Sequence, residues 1–479
     1  MSTQHFRLLL SCWLLMALTA TASAAQNNVP PPGFTALFNG KDLSGWYGWG
    51  TKDPTELAKM TPEARAEYKR KSTVGGLPEG KQGPEHINAH WRVEKGELVN
   101  DGHGLYLTSD KDFGDFEVWV DYKALPDGDS GIYLRGVPQV QIWDTTKGDP
   151  RGLGQDKGSG GLWNNSKGAP GKDPSRKMDK PFGEWNTFKI KMIGERVTVE
   201  FNGVVVVDNA VLENFFANQK AGYLAYGKQD KKAPKKSEKL PNGYMRDPVF
   251  PRGPIQLQTH GSEIRWRNVY IREIGADEAN KTLAARDAQG FKELNNGKDL
   301  SNWQGAVDSY EVRNGAIVCK PKKGGDLLTK EEYENLIIRV EFKLPPAGNN
   351  GIALRTPLGG HSAADGFEIQ VIDSDGYNAA HPTKPLLPYQ YHGSLYHCVG
   401  AKHGYLRPVG EWNFEEIEVR GQTIKVTLNG TKILDVDLDK LDRSQIAHPP
   451  KGLDHTKGYI GFAGHNDPVE FRSFKVKRL

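Results

Sequence analysis

Cysteine is nearly missing from this chain: three in 479 residues, at Cys12, Cys319 and Cys398. So few thiols exclude a disulfide-built scaffold, and a chain of this length can bury its own cores without one. Charge of one sign is missing too. Lysine and arginine number 63 against 59 acids, a formal net charge of +4. No basic helix or RNA-binding signature accompanies it, which sets nucleic acid aside as a partner. Long helical periodicities are scarce. Beyond the N-terminus no apolar run is long enough to span a membrane.

Glycine and tryptophan are plentiful, 55 and 11 residues, a profile that suits many short strands joined by tight turns. The N-terminus reads as a signal peptide over residues 1–25. Arg7 supplies the positive region, Leu8 to Leu18 the apolar stretch and Ala22-Ser23-Ala24 the cleavage site. A periplasmic or secreted protein follows. A second reading takes Leu9-Leu10-Ser11-Cys12 as a lipoprotein box. Export leaves a Cys319–Cys398 disulfide open against two buried free thiols.

The strongest signal is internal repetition. Asn39-Gly40-Lys41-Asp42-Leu43-Ser44-Gly45-Trp46 returns as Asn296-Gly297-Lys298-Asp299-Leu300-Ser301-Asn302-Trp303. Ser130-Gly131-Ile132-Tyr133-Leu134-Arg135 returns as Asn350-Gly351-Ile352-Ala353-Leu354-Arg355. Gln141-Ile142-Trp143-Asp144 returns as Gln370-Val371-Ile372-Asp373, and Gly183-Glu184-Trp185-Asn186 as Gly410-Glu411-Trp412-Asn413. His260 and Arg267 return as His465 and Arg472. The order is kept and the period is too long for a solenoid, so a whole domain is duplicated. We expect module one over 26–275, a linker over 276–289 and module two over 290–479. Module one carries insertions at 47–90, with a helix start at Thr61-Pro62, and at 228–239, a lysine-rich run read as a solvated loop.

Strand signals have period two. Phe116, Val118, Val120 and Tyr122 share one face, and Glu117, Trp119 and Asp121 the other. Asn202-Gly203 and Asn429-Gly430 each sit between apolar runs, the mark of a type I′ hairpin. The pattern predicts antiparallel sandwiches, not βαβ units.

These motifs resemble the 3-keto-disaccharide hydrolase domain family, twice over nearly the whole mature chain. The resemblance rests on the Phe-x-x-Leu-x-Asn-Gly-Lys-Asp-Leu-Ser-x-Trp opening, the Gly-Ile-x-Leu-Arg segment, the Gln-x-x-Asp strand, Gly-Glu-Trp-Asn and the closing strand. It implies an all-β fold of two tandem concanavalin-A-like jelly-roll β-sandwiches, with a sugar site on the concave sheet. The implied activity is cleavage of glycosides already oxidised at C3, so an oligosaccharide or glycoside is the substrate and a sugar 3-dehydrogenase would act upstream. Module two is nearer the family pattern. Module one has Gln139 where module two has Glu368, and Gly158-Ser159-Gly160-Gly161-Leu162-Trp163 where module two has His392-Gly393-Ser394-Leu395-Tyr396. That loses an ionisable pair, so module two is expected to be catalytic and module one accessory or divergent.

The chemistry needs a base near C2, a donor at the C3 oxygen and an acid for the leaving oxygen. Glu368, His392 and Asp373 are the catalytic candidates. Arg355 and Gln370 are candidates to orient hydroxyls or hold the enolate oxygen. Tyr396, Arg135, Gln139, Gln141, Asp144, Trp143 and Trp163 complete the substrate-binding candidates, the aromatics as platforms. Glu368 and Gln370 share a strand face, whereas Asp373 lies on the other face of a regular strand. Alternation places Arg355 opposite Ile352 and Leu354, where a ligand reaches. Arg135 and Arg355 equally suit internal ion pairs, and Asp144 and Asp373 suit turn caps. His260 and His465 are read as structural. His, Glu and Asp would also suit a divalent ion, but no His-x-x-x-His spacing appears. No Glu-x-Asp-x-x-Glu pair appears either; Glu368-x-Gln370-x-x-Asp373 keeps its outline, so an ordinary two-carboxylate glycosidase stands as one alternative. A non-catalytic glycan-binding protein is the other.

Overall fold

The computed structural model describes residues 27–80, 83–220 and 245–479. The expected signal peptide, the lipoprotein reading at Cys12 and the lysine-rich run 228–239 lie outside the described residues. The fold is all-β, two tandem concanavalin-A-like jelly-roll sandwiches. Each pairs an eight-stranded sheet with a five-stranded one, all antiparallel. The five-stranded sheet of module one runs Trp46–Trp49, Tyr106–Ser109, Gln256–Leu257, Asp129–Leu134, Val137–Trp143. Module two repeats the order with Trp303–Gly305, Gly324–Thr329, Tyr459–His465, Asn349–Thr356, Phe367–Ile372.

Period two explains the layering. Strand Phe116–Ala124 alternates buried and half-buried along its whole length. Its buried face, Phe116, Val118, Val120 and Tyr122, packs into one core with Ile132, Val140, Phe188 and Trp266. Each such side chain contributes roughly 1.5–3 kcal/mol by leaving water. Asn202 and Gly203 have φ of 49° and 85°, and Asn429 and Gly430 have 51° and 82°. Two consecutive positive φ angles match the strand twist, so Phe201 pairs Val204 and Leu428 pairs Thr431. Of the expected insertion 47–90, residues 47–49 belong to the edge strand Trp46–Trp49, and helices follow at Pro54–Ala58, Pro62–Val74 and Ile87–His90, the longest capped by the Thr61 hydroxyl accepting from Ala64 N at 3.2 Å. Among the described residues the two cysteines are free, Cys319 buried and Cys398 half-buried. Burial pushes their thiols up to about 11 and about 12.

Between the sandwiches runs helix Ala276–Ala285. Its Ala279 and Leu283 pack with Ile193 and Ile274 of module one and Phe414 of module two. Contact is close enough that a Cβ at Gly194 would lie 2.4 Å from Asn429 O. At the centre is Asp115. It accepts from Gly194 N at 2.9 Å and from Arg135 Nη2 at 3.0 Å, and it faces Arg407 Nη2 of module two at 3.5 Å. Burial pushes both guanidiniums below their ordinary pKa, with Asp115 opposing the shift. Replacing Asp115 by alanine leaves two buried cations without their counter-charge. We expect a loss of roughly 3–5 kcal/mol in urea unfolding; a midpoint unchanged from wild type would show that Asp115 is no tie.

Candidate active site

In module two the apolar residues Phe367, Ile369 and Val371 of one strand enter the core, which turns Glu368 and Gln370 to the outer face of the five-stranded sheet. Glu368 lies opposite Ala353 and Gln370 opposite Gly351. Ala353 in turn pairs Gly461, so Gly461, Ala463 and His465 share that face. Asp326, opposite Ala463, shares it too. Small residues pave the middle and polar ones stand around them.

Gly351 makes the arrangement possible. A Cβ there would sit 2.2 Å from Glu368 Oε1, so only glycine lets that carboxylate lie flat on the sheet. Glu368 Oε1 then reaches His465 Nε2 at 3.3 Å. Its Oε2 is buried without a partner. Glu368 is 1% exposed while the His465 side chain is 36% exposed, so the imidazole is the member a ligand meets. The hydrogen bond to Glu368 raises the His465 pKa above the usual histidine range; burial opposes this, and the charges of Glu368, Asp326 and Asp467 add to it. Burial likewise raises Asp326, whose carboxylate accepts from Ser362 N at 2.8 Å and Ser362 Oγ at 3.1 Å. Gln370 donates to Asn349 Oδ1 at 2.7 Å.

Module one builds a related face from different residues. Gln139, Gln141 and Trp143 occupy the strand, and a Cβ at Gly131 would lie 2.8 Å from Gln139 Cδ. His260 Nδ1 lies 3.1 Å from Asp129 Oδ2. That hydrogen bond raises the His260 pKa, against the effect of burial. A cavity of about 930 Å3 opens here, walled by Trp143, Trp163, Tyr106 and Tyr133. Module one therefore has an imidazole–carboxylate pair of its own, built from residues at places other than those of Glu368 and His392.

Several expected residues do not join these faces. His392 is 4% exposed and points into the sandwich, its Nε2 3.0 Å from Glu415 Oε2 and its ring 5.1 Å from that of Phe342. Glu415 is fully buried. Asp373 caps helix Ser374–Ala380, accepting from Gly376 N at 3.1 Å and Ala347 N at 2.8 Å. Asp144 accepts from Asp127 N and Thr146 N, each at 2.9 Å. Arg355 leaves the ligand face because its backbone is left-handed, φ 48°, where the strand pairing slips. Its guanidinium donates to Gly421 O, His455 O and Gln422 Oε1. Arg135, φ 53°, is 1% exposed and bonds Gly114 O, Phe250 O and Asp115. Tyr396 flanks Glu368 through its backbone, donating to Glu368 O at 2.9 Å, and its ring lies 4.2 Å from His397. Trp185 and Trp412 are half-buried under Arg267 and Arg472.

The structure adds His465, His260, Asp129 and Asp326 to the faces. The first two recur at matching strand ends, a signal that the repeat itself carries. Among the described residues no group of three His, Cys, Asp or Glu side chains is placed to hold a metal ion.

Each of the two sandwiches thus presents an imidazole–carboxylate pair on its polar sheet face. The chain belongs to the family of the 3-keto-alpha-glucoside-1,2-lyase-like domain, whose model matches residues 33–272 and 290–477. A curated relative, the 3-keto-disaccharide hydrolase of Bacteroides thetaiotaomicron, is 24% identical over 250 residues, covering 44% of this chain and 86% of its own. A crystal structure from Parabacteroides distasonis, provisionally named a glycosyl hydrolase, is 27% identical, with a TM-score of 0.37 over 40% of this chain and 95% of its own. A second from that organism is 29% identical, with a TM-score of 0.35 over 40% and 99%.

Neutralising Glu368 removes the bond that holds the His465 proton. In Glu368→Gln the His465 titration followed by NMR is expected to move to lower pH, and Gly351→Ala, which displaces the carboxylate, should do the same. A midpoint unmoved in both would dissolve the pair.

Proposed function

We propose that the chain cleaves glycosides oxidised at C3, with His465 and Glu368 of module two as its acid–base pair. The single observation that carries this is the exposed imidazole held at 3.3 Å by a buried carboxylate on the outer sheet face. A ketone at C3 acidifies the C2 proton. Neutral His465 takes that proton, and the C2–H electrons form an enolate onto the C3 oxygen. Re-forming C3=O then makes the C1=C2 bond and breaks the bond from C1 to the leaving oxygen, which takes the proton back from the imidazolium. Water adds OH at C1 and H at C2, and the net change is hydrolysis. Glu368 orients the ring and stabilises its charged form, as a carboxylate behind a histidine does elsewhere. The second N–H of Gln370 is a donor for the C3 oxygen. A dehydrogenation at C3 must come first in the reaction sequence.

A direct two-carboxylate cleavage is less well supported, because Asp373 is committed to capping a helix. Turnover in D2O separates the two: elimination and re-addition place deuterium at C2 of the product, and direct displacement leaves hydrogen there. His465→Gln and Glu368→Gln should lower kcat by ~10²–10⁴-fold. If neutral His465 is the base, kcat/KM falls as pH drops through its raised pKa, and Glu368→Gln moves that acid limb to lower pH. Full turnover in His465→Gln, on every 3-keto substrate, would sink the assignment.

A further inference from the structure

The cavity on module one is lined by polar atoms that lack partners. Gln139 Oε1, Gln258 Oε1 and Asn164 Oδ1 are buried and unbonded, on side chains 4%, 6% and 6% exposed. All three residues line the cavity of about 930 Å3. The amide ends of two are fixed: Gln139 Nε2 donates to Gln141 Oε1, and Gln258 Nε2 to Tyr106 Oη at 3.3 Å. Their oxygens are thus left for an incoming donor. A buried acceptor without a donor costs ~1–3 kcal/mol, so the ligand that restores these bonds brings several hydroxyls. It also brings an apolar face, since Trp143 and Trp163 meet edge to face with centroids 5.7 Å apart. Hydroxyls around a ring with C–H faces are the chemistry of a pyranose. At the same face stands His260, its side chain 55% exposed and held by Asp129, which also accepts from Gln141 Nε2 at 2.9 Å.

We propose that this cavity is a second saccharide site with its own acid–base pair, His260 and Asp129, so that the chain carries two reaction centres with different substrate preferences. The step is the one written above and rests on that reading: His260 takes the C2 proton, C1=C2 forms, the leaving oxygen receives the proton and water adds. The carboxylate comes from a different strand in each module. Asp129 opens the strand that holds Gly131, and Glu368 lies on the strand paired with Gly351. The floors differ as well. Tyr133, Gln256 and Gln258 stand in module one where Ala353, Gly461 and Ala463 stand in module two. Trp143 and Trp163 stand where module two has Ile372 and Tyr396. Module one therefore grips a larger aglycone by stacking, and module two offers a smoother floor.

The test uses the full chain and a panel of α- and β-linked 3-keto-disaccharides. His465→Gln should keep turnover of part of the panel, and His260→Gln should lose that same part by ~10²-fold or more. The double variant should lose all of it, and Asp129→Asn should follow His260→Gln. His260→Gln and Asp129→Asn both indistinguishable from wild type across the panel would overturn the second centre while leaving the module-two reading intact. A wild type that turns over no member sinks that reading instead. In that event saturable quenching of tryptophan fluorescence by maltotriose or cellotriose, abolished in Trp163→Ala, still sustains the module-one site, and no quenching overturns it.

Discussion

A carboxylate lying on a glycine is the contact from which the candidate chemistry of module two follows. Any side chain at Gly351 would occupy the space of Glu368, and Glu368 is what holds His465. The glycine is not there for its backbone, which is extended. It is there because two neighbouring strands must leave room above the sheet for one acidic side chain. Period two does the rest: it sends Ile352, Phe367, Ile369 and Phe462 inward to the core and the polar set outward. The same rule shapes module one, where Gly131 makes room for Gln139.

The architecture was legible in the residues because it rests on repetition and alternation, which a sequence displays directly. The duplicated motifs, the hairpins at Asn202-Gly203 and Asn429-Gly430 and the buried face of Phe116–Ala124 all follow from such local rules. The candidate site was half legible. Glu368 and Gln370 share a face by spacing alone. Arg355 and Arg135 defeated the same rule, because each adopts a positive φ at a strand end and swings its guanidinium into neighbouring carbonyls. Glycines at 458 and 253 press on those backbones, at 2.5 Å from where a Cβ would stand, but no pattern in one sequence announces such a meeting of distant segments. His392 deceived for a different reason. Its partner Glu415 sits on another strand, in an otherwise apolar alternation, and module one puts Phe188 at the corresponding place.

The two modules thus preserve geometry more faithfully than residue identity. Each keeps an imidazole at the same strand end and a carboxyl group within about 3 Å of it. The carboxyl has changed strands, and amides have filled the vacated place. Divergence of this kind alters what a sheet face can grip without disturbing the layers beneath it.

Asp115 ties this picture to the chain as a whole. It binds an arginine from each sandwich, and one of them, Arg135, ends the strand that carries Asp129 and Gly131. Cutting the polypeptide after residue 275 would strip module one of Arg407 and lay bare Ile193 and Ile274. The halves of this duplicated gene product have accordingly ceased to be interchangeable beads. Each now carries part of the other's foundation, and shuffling either into a new protein would require rebuilding the seam.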